Sequence, residues 1–233
     1  MDAALKHAEE MVKEGADIID IGGESTRPGH IQITEEEEVA RVTPVIEAVK
    51  QRIDAPISID SYKASVAEAA LAAGADLVND IWGLKYDPRM GEVIARAGAA
   101  CCLMHNKNTT EYENFYEDIL RETGECVELA KKAGIAADKI ILDPGIGFGK
   151  TPEQNLVTLN HMERFHELGC PLLLGTSRKS VIGYVLDLPA DQRVEGTLVT
   201  TVLAVRKKYA FVRVHDVREN KRTILMTDAI LSR

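Results

Sequence analysis

The sequence is poor in aromatic residues, which make up 5% of the chain with a single tryptophan, and it holds only four cysteines. It has no excess of basic charge, no long apolar run and no C-x-x-C pair. Each absence removes a class of function. The formal charge of −9 argues against general binding to nucleic acid or to acidic membrane and leaves room only for a local cationic pocket. No apolar stretch approaches the length of a membrane span, and the first residues alternate charge with alanine instead of forming a secretory core. A cytoplasmic protein with no membrane partner is expected. Cys101 and Cys102 are adjacent, while Cys126 and Cys170 stand alone, a spacing that suits neither zinc nor a redox pair. Buried, reduced thiols are the expectation. His161 and His166 are five apart, so they do not share a helix face as an i, i+4 metal pair would, and surface positions are expected for both.

With 233 residues, 45% of them hydrophobic and 28% charged, the chain is long enough to bury the core of one large α/β domain. Its most conspicuous stretch is DPGIGFGKT, Asp143 to Thr151. This fails the Walker pattern by one residue, because only three residues separate Gly145 from Gly149, and its glycines are spaced evenly by two rather than as Gly-x-Gly-x-x-Gly. What remains is a glycine-rich backbone following the apolar run Ile140-Ile141-Leu142 and beginning at a carboxylate.

A unit of helix, glycine and strand recurs along the chain. Apolar residues three or four apart around Leu5, Ala8, Met11 and Val12 lead to Gly15 and then to Ile18-Ile19-Asp20-Ile21. The same order leads through Gly74 to Leu77-Val78 and through Gly98 to Ala100–Leu103. It leads again through Gly134 to Ile140–Leu142 and through Gly169 to Leu172–Leu174. Glycine just past a helix end accepts the left-handed conformation without a Cβ clash. Runs at Ile57–Ile59 and Phe211–Val214 supply two more strands. Thr34 is placed to start a helix whose first turn, Glu35 to Glu38, suits the positive end of the helix dipole.

Seven short apolar strands alternating with helices predict a parallel sheet covered on both faces. Polar groups follow nearly every strand: Gly22-Gly23-Glu24, Asp60, Asn79-Asp80, His105, Asp143, Thr176-Ser177 and Arg213 to His215. That layout is the one a TIM (β/α)8 barrel needs, since its site is assembled at the C-terminal ends of many strands. Residues 1–233 are therefore predicted as a single barrel domain, N-terminally truncated, in which a helix stands where the first strand would be. Carboxylates (Asp60, Asp143), an amide (Asn79) and cations (Arg27, Lys179, Arg213, His215) suit a flat polar heterocycle with an anionic tail better than they suit a chelated metal. The glycines of the DPGIGFG loop let backbone approach such a ring, with Phe148 as apolar contact.

Seven segments resemble, in order, the motifs of dihydropteroate synthase in the pterin-binding TIM-barrel superfamily. They are DIIDIGGESTRPG (17–29), ISIDSYK (57–63), LVNDIWG (77–83), LMHN (103–106), ILDPGIGFGKT (141–151), LLLGTSRKS (172–180) and FVRVHD (211–216). The resemblance implies condensation of a pterin pyrophosphate with p-aminobenzoate to give dihydropteroate, with loss of pyrophosphate. It implies that Asp60, Asn79, Asp143 and Lys179 hydrogen-bond the pterin, that Arg213 packs on it, and that Ile81, Met104 and Phe148 line its pocket. Arg27, Arg213 and His215 match contacts to pyrophosphate, and Thr26, Arg27, Phe148 and Ser180 match positions around p-aminobenzoate. Catalytic roles fall to Asp60, Asp143, Lys179, Arg27 and His215. The resemblance further implies Mg2+ and a homodimer. The family's opening strand and its Asn-Val-Thr-Pro-Asp-Ser-Phe segment, whose asparagine contacts Mg2+, have no match, so no metal ligand is assigned. Other readings are a methyltetrahydrofolate–corrinoid methyltransferase domain and a non-catalytic pterin-binding fragment. TSRKS and RVHD favour pyrophosphate chemistry.

Each residue also has a plainer reading. Asp60 or Asp80 alone would be the N-cap of a following helix, His105 would be structural, and Arg178 would be solvated.

Overall fold

The computed structural model describes residues 2–25 and 31–233. Its chain divides into two compact units, Met1–Met104 with Glu125–Ile141, and His105–Gly124 with Leu142–Arg233.

In the first unit α1 (Asp2–Glu14), β1 (Ile19–Ile21), α2 (Glu35–Arg52), β2 (Ile57–Asp60), α3 (Ala64–Ala72), β3 (Leu77–Asp80), α4 (Met90–Ala97) and β4 (Ala100–Met104) alternate along the chain. The division between units falls inside α5 (Phe115–Lys132) and inside β5 (Ile140–Asp143). Strands β1 to β4 pair in parallel in chain order, with Ile21 beside Ile59, Asp60 beside Asn79 and Asn79 beside Cys102. β2 and β3 are buried along their whole length. This explains why they read as near-continuous runs rather than as an alternation: both faces of a parallel sheet are covered. The core is aliphatic, with Ile46, Val49, Ile57, Ile59, Val66, Val78 and Ile94 each fully buried, and each such side chain stabilises the fold by about 1.5–3 kcal/mol.

Local signals act as the sequence suggests. The Thr34 hydroxyl accepts the Glu37 amide and caps α2, and Gly98 ends α4 in the left-handed conformation at φ 62°. Asp80 departs from its helix-cap reading: its carboxylate receives the amides of Trp82 at 2.8 Å and Leu84 at 2.7 Å, closing the turn after β3, while the next helix, α4, starts only at Met90. The end of β2 is tied down by a buried cation. Lys63 Nζ reaches Glu24 at 2.7 Å, Glu38 at 2.8 Å and the carbonyl of Ile33 at 2.8 Å, while Tyr62 donates to Glu24 at 2.6 Å. Burial opposes the charge on Lys63, yet the two carboxylates outweigh it and leave the ammonium pKa raised. Cys101, Cys102 and Cys126 are buried, whereas Cys170 is only half-buried, because it sits in the short link between Gly169 and β6.

The second unit carries α6 (Pro152–Asn160), β6 (Leu173–Leu174), α7 (Ser180–Leu186), α8 (Val194–Arg206), β7 (Phe211–Val212) and α9 (Val217–Leu231). β6 pairs in parallel with β7, and Leu142 bridges to Leu172. β7 stops at Val212, two residues short of the apolar run read from the sequence; the Arg213 amide still donates to the Leu174 carbonyl at 3.0 Å, and the loop follows. Thr151 and Gln154 form a complete capping box at the start of α6, with Pro152 in its first turn. His161 and His166 are exposed.

Burial pushes the Asp80 carboxyl up to about 6, against the two amides that favour its charge. A folded-state pKa raised above 3.8 gives stability that is complete below that value and is lost as pH rises through about 6. The shift corresponds to about 3 kcal/mol. Replacing Asp80 with alanine leaves two amides unmet, at about 1–3 kcal/mol each. Urea unfolding should therefore show Asp80→Ala less stable than the unaltered chain at pH 4, with the gap narrower at pH 7.

Candidate active site

In the first unit the polar strand ends lie level with one another. Asp60 closes β2 directly beside Asn79 of β3, and both side chains are buried. Two parallel strands in register place a carboxylate and an amide on neighbouring strands at one end of the sheet, a pair that can accept from and donate to adjacent ring N–H and C=O groups. Gly22, just past β1, lies against this carboxylate: a Cβ there would be 3.4 Å from Asp60 Cβ and 3.8 Å from its Oδ2. Ile81 and Met104, at the ends of β3 and β4, are buried. Asp80 is the turn cap already described.

In the second unit the chemistry gathers on the loop after β5. Asp143 is buried and its Oδ1 receives the Gly145 amide at 2.7 Å. Burial raises its pKa, against the opposing pull of Lys179, the Gly145 amide, Lys150 and Arg213. Lys179 Nζ donates to the Ile146 carbonyl at 2.5 Å and lies 4.8 Å from the centre of the Phe148 ring. A Cβ on Gly175 would be 3.4 Å from Asp143 Oδ2 and 3.7 Å from Lys179 Nζ. Carboxylate, ammonium and phenyl ring thus stand around one glycine-rich backbone. Ser180 opens α7 and is exposed. Arg213 and His215 follow β7 on exposed backbone, and the His215 ring is oriented by Ser177, whose Oγ lies 2.9 Å from Nδ1 and accepts the His215 amide at 3.1 Å. Thr26 and Arg27 lie outside the described residues.

Several groups here escape a sequence reading. Arg178 is not simply solvated: it holds φ 59° and forms a two-point ion pair with Asp216, with Nε at 3.0 Å from the carboxylate. Its amide donates to Thr197 and its carbonyl accepts from Arg193 at 2.9 Å. A left-handed non-glycine residue stores of order 1–3 kcal/mol and persists only where its surroundings fix it; these partners do so and thereby aim Lys179. Lys150 is likewise buried rather than exposed, in contact with His105. The one trace of it in the sequence is a lysine directly after a glycine loop flanked by apolar strands.

Residues 1–215 match the family model for pterin-binding enzymes. The chain is 58% identical to the dihydropteroate synthase of Clostridium beijerinckii over the whole of this chain and 87% of that protein. It is 50% identical to the synthase of Bacillus subtilis over the whole of this chain and 82% of the relative. The chain belongs to the dihydropteroate synthase family. The solved synthase of Clostridium difficile, crystallised in the presence of pteroic acid, superposes with a TM-score of 0.97 at 51% identity, covering all of this chain and 89% of that one. The α/β fold is accordingly that of the synthase family, in the TIM-barrel class read from the sequence. Among the described residues no group of three or more His, Cys, Asp or Glu is placed to hold a metal ion, and no helix is long and apolar enough to cross a membrane.

Gly149 closes the loop at φ 55°, and a Cβ there would lie 2.7 Å from the Lys107 carbonyl oxygen and 3.0 Å from its amide nitrogen. Neither backbone atom can yield easily, and Tyr112 donates to the Gly149 carbonyl from the same side at 2.6 Å. Gly149→Ala should lose at least about 2 kcal/mol, from left-handed strain and overpacking together, read as a lowered denaturation midpoint. An unchanged midpoint would mean that the loop has room the geometry denies.

Proposed function

We propose that this chain condenses 6-hydroxymethyl-7,8-dihydropterin pyrophosphate with p-aminobenzoate, giving 7,8-dihydropteroate and pyrophosphate, in the cytoplasm. The observation that carries the reading is the buried Asp143 carboxylate beside the Lys179 ammonium, over the Phe148 ring, in a chain of the synthase family. In the reaction the aryl amine attacks the pterin methylene carbon, the C–O bond to pyrophosphate breaks, and the nitrogen releases a proton. The amine is neutral near pH 7 and pyrophosphate is a competent leaving group, so preorganised charge can do most of the work.

In this proposal Asp60, Asn79, Asp143 and Lys179 hydrogen-bond the pterin, and Arg213 packs on it. Ile81, Met104 and Phe148 give it apolar contact. Asp60 and Asp143 stabilise positive charge that develops on the ring as the C–O bond loosens. Arg27, Arg213 and His215 take the negative charge of the departing pyrophosphate. Thr26, Arg27, Phe148 and Ser180 surround p-aminobenzoate. Mg2+, which the family resemblance implies, finds no ligand cluster among the described residues, and no step above depends on it.

Pyrophosphate release that requires p-aminobenzoate distinguishes this activity from methyl transfer and from pterin binding without turnover. Asp143→Ala and Lys179→Ala should each lower kcat/KM by about 100- to 1000-fold. Since burial raises the Asp143 pKa, activity that needs its anion should fall on acidification at a pH above the ordinary carboxylate value of about 4, and that acid limb should be absent from the residual rate of Asp143→Asn. Full turnover in either alanine variant would remove the assignment.

A homodimer is part of the proposal. α8 and α9 pack on each other and leave Val199, Leu225, Met226 and Ile230 about 60% exposed, more apolar surface on one helix pair than a monomer usually leaves in water. Met226→Glu with Ile230→Glu should convert a dimer into a monomer in sedimentation velocity. A wild-type chain that is monomeric at micromolar concentration would exclude it.

A further inference from the structure

One buried group in the second unit is left without a role by the chemistry above. Lys150 Nζ meets three acceptors: His105 Nδ1 at 2.9 Å, the Gly145 carbonyl at 3.0 Å and the Phe148 carbonyl at 3.1 Å. An ammonium has three N–H bonds, and all three are used. On the far side of the imidazole, His105 Nε2 lies 2.9 Å from Glu122, and Lys107 reaches the other oxygen of that carboxylate at 3.3 Å. Glu122 can only accept, so His105 carries its proton on Nε2 and presents a bare Nδ1 to Lys150. The hydrogen bond to His105, with Lys107 beside it, holds the Glu122 pKa down at about 2, so the carboxylate that fixes this tautomer stays ionised.

We propose that Lys150, held by His105 and Glu122, is a positioning residue for the proposed reaction: its charged form clamps both ends of the Gly145–Phe148 turn and so sets Asp143 and Phe148 for the pterin. The inference rests on the functional reading above and deepens it. Gly145 is the residue whose amide bonds Asp143 Oδ1, and Phe148 carries the ring beneath Lys179. Anchoring their two carbonyls therefore fixes the carboxylate and the ring together. Deprotonation of Lys150 would leave two N–H donors for three acceptors, so that either a turn carbonyl or the His105 anchor is let go and the clamp loosens. The groups that face it are Asp143 and Glu122, which favour its charge, Lys179, which disfavours it, and the imidazole of His105. Burial is the larger influence and pushes the Lys150 pKa down to about 7. The clamp accordingly holds on the acid side of neutrality and slackens on the alkaline side.

The test measures the dissociation constant of 6-hydroxymethylpterin by calorimetry between pH 6 and 9 for the unaltered chain, Lys150→Met and Glu122→Gln. The ligand's own ionisation is common to all three and cancels in the ratios. At pH 6 Lys150→Met should bind on the order of 10- to 100-fold more weakly than the unaltered chain, the scale of a small misplacement at a site, and the ratio should shrink toward pH 9. In Glu122→Gln, a carboxylate that favours the Lys150 charge is gone, so affinity should fall at a lower pH than in the unaltered chain. Should Lys150→Met fail to unfold cooperatively, the Glu122→Gln shift decides alone. A ratio near one at pH 6, a ratio independent of pH, or a Glu122→Gln profile that overlays the unaltered one would each overturn the inference while leaving the synthase reading in place. An unaltered chain that binds no pterin would overturn that reading, and the inference with it.

Discussion

Removing a carboxylate from water costs several kcal/mol unless fixed dipoles or an opposite charge replace its hydration, and this chain buries carboxylates at the ends of three strands. Asp60, Asp80 and Asp143 are the last residues of β2, β3 and β5, and all three are buried. Their surroundings divide the work. Asp80 is answered by two backbone amides of its own turn and becomes part of the scaffold. Asp143 has one such amide and nearby ammonium charge. Hydrogen bonds from its own loop saturate Asp80, whereas Asp143 keeps an oxygen, Oδ2, turned toward the space beside Gly175 and Lys179. That difference separates a cap from a group able to read a ligand.

Buried cations are handled in the same way in both units. Lys63 is enclosed by two carboxylates and a carbonyl, and Lys150 by an imidazole and two carbonyls. The charges around them decide the outcome. Two anions in direct contact keep the Lys63 pKa raised in spite of burial. Lys150 touches no anion directly, and Lys179 opposes it, so burial prevails and its pKa falls. One lysine is a permanent tie, and the other is a tie that depends on the proton. A charged group used for stability belongs in the first situation; one that could change with conditions belongs in the second.

What could be read from the sequence follows from the range over which each signal acts. Strand runs, the glycines that end helices and the Thr34 cap are written within a few residues, and the structure carries them, with β6 and β7 shorter than their apolar runs. The level placement of Asp60 with Asn79 also follows from the sequence, because parallel strands of similar length, ended by similar turns, come into register. The Lys150, His105 and Glu122 chain joins residues 45 and 17 positions apart, and the Arg178 pair with Asp216 spans 38. No periodicity encodes such distances. Those contacts exist only because the fold returns the chain to the same place, which is why Arg178 read as solvated and Lys150 drew no role from the sequence.

The glycine-rich loop resembles a nucleotide loop in composition, and its hydrogen bonds show why its chemistry differs. A nucleotide loop turns its amides outward to cradle phosphate and sends its lysine after the same anion. Here the Gly145 amide turns back to Asp143, the Gly147 amide to the side chain of Asn155, and the lysine beneath takes the carbonyls of Gly145 and Phe148. Those amides are already engaged by the protein, so the loop offers poor coordination to a polyphosphate. It is instead a rigid shelf that carries a buried carboxylate at one end and an aromatic ring at the other. Such a shelf fits the edge and face of a planar ring, and the anionic part of any ligand must be met elsewhere, by residues such as Arg213 and His215 that lie on exposed backbone beyond β7.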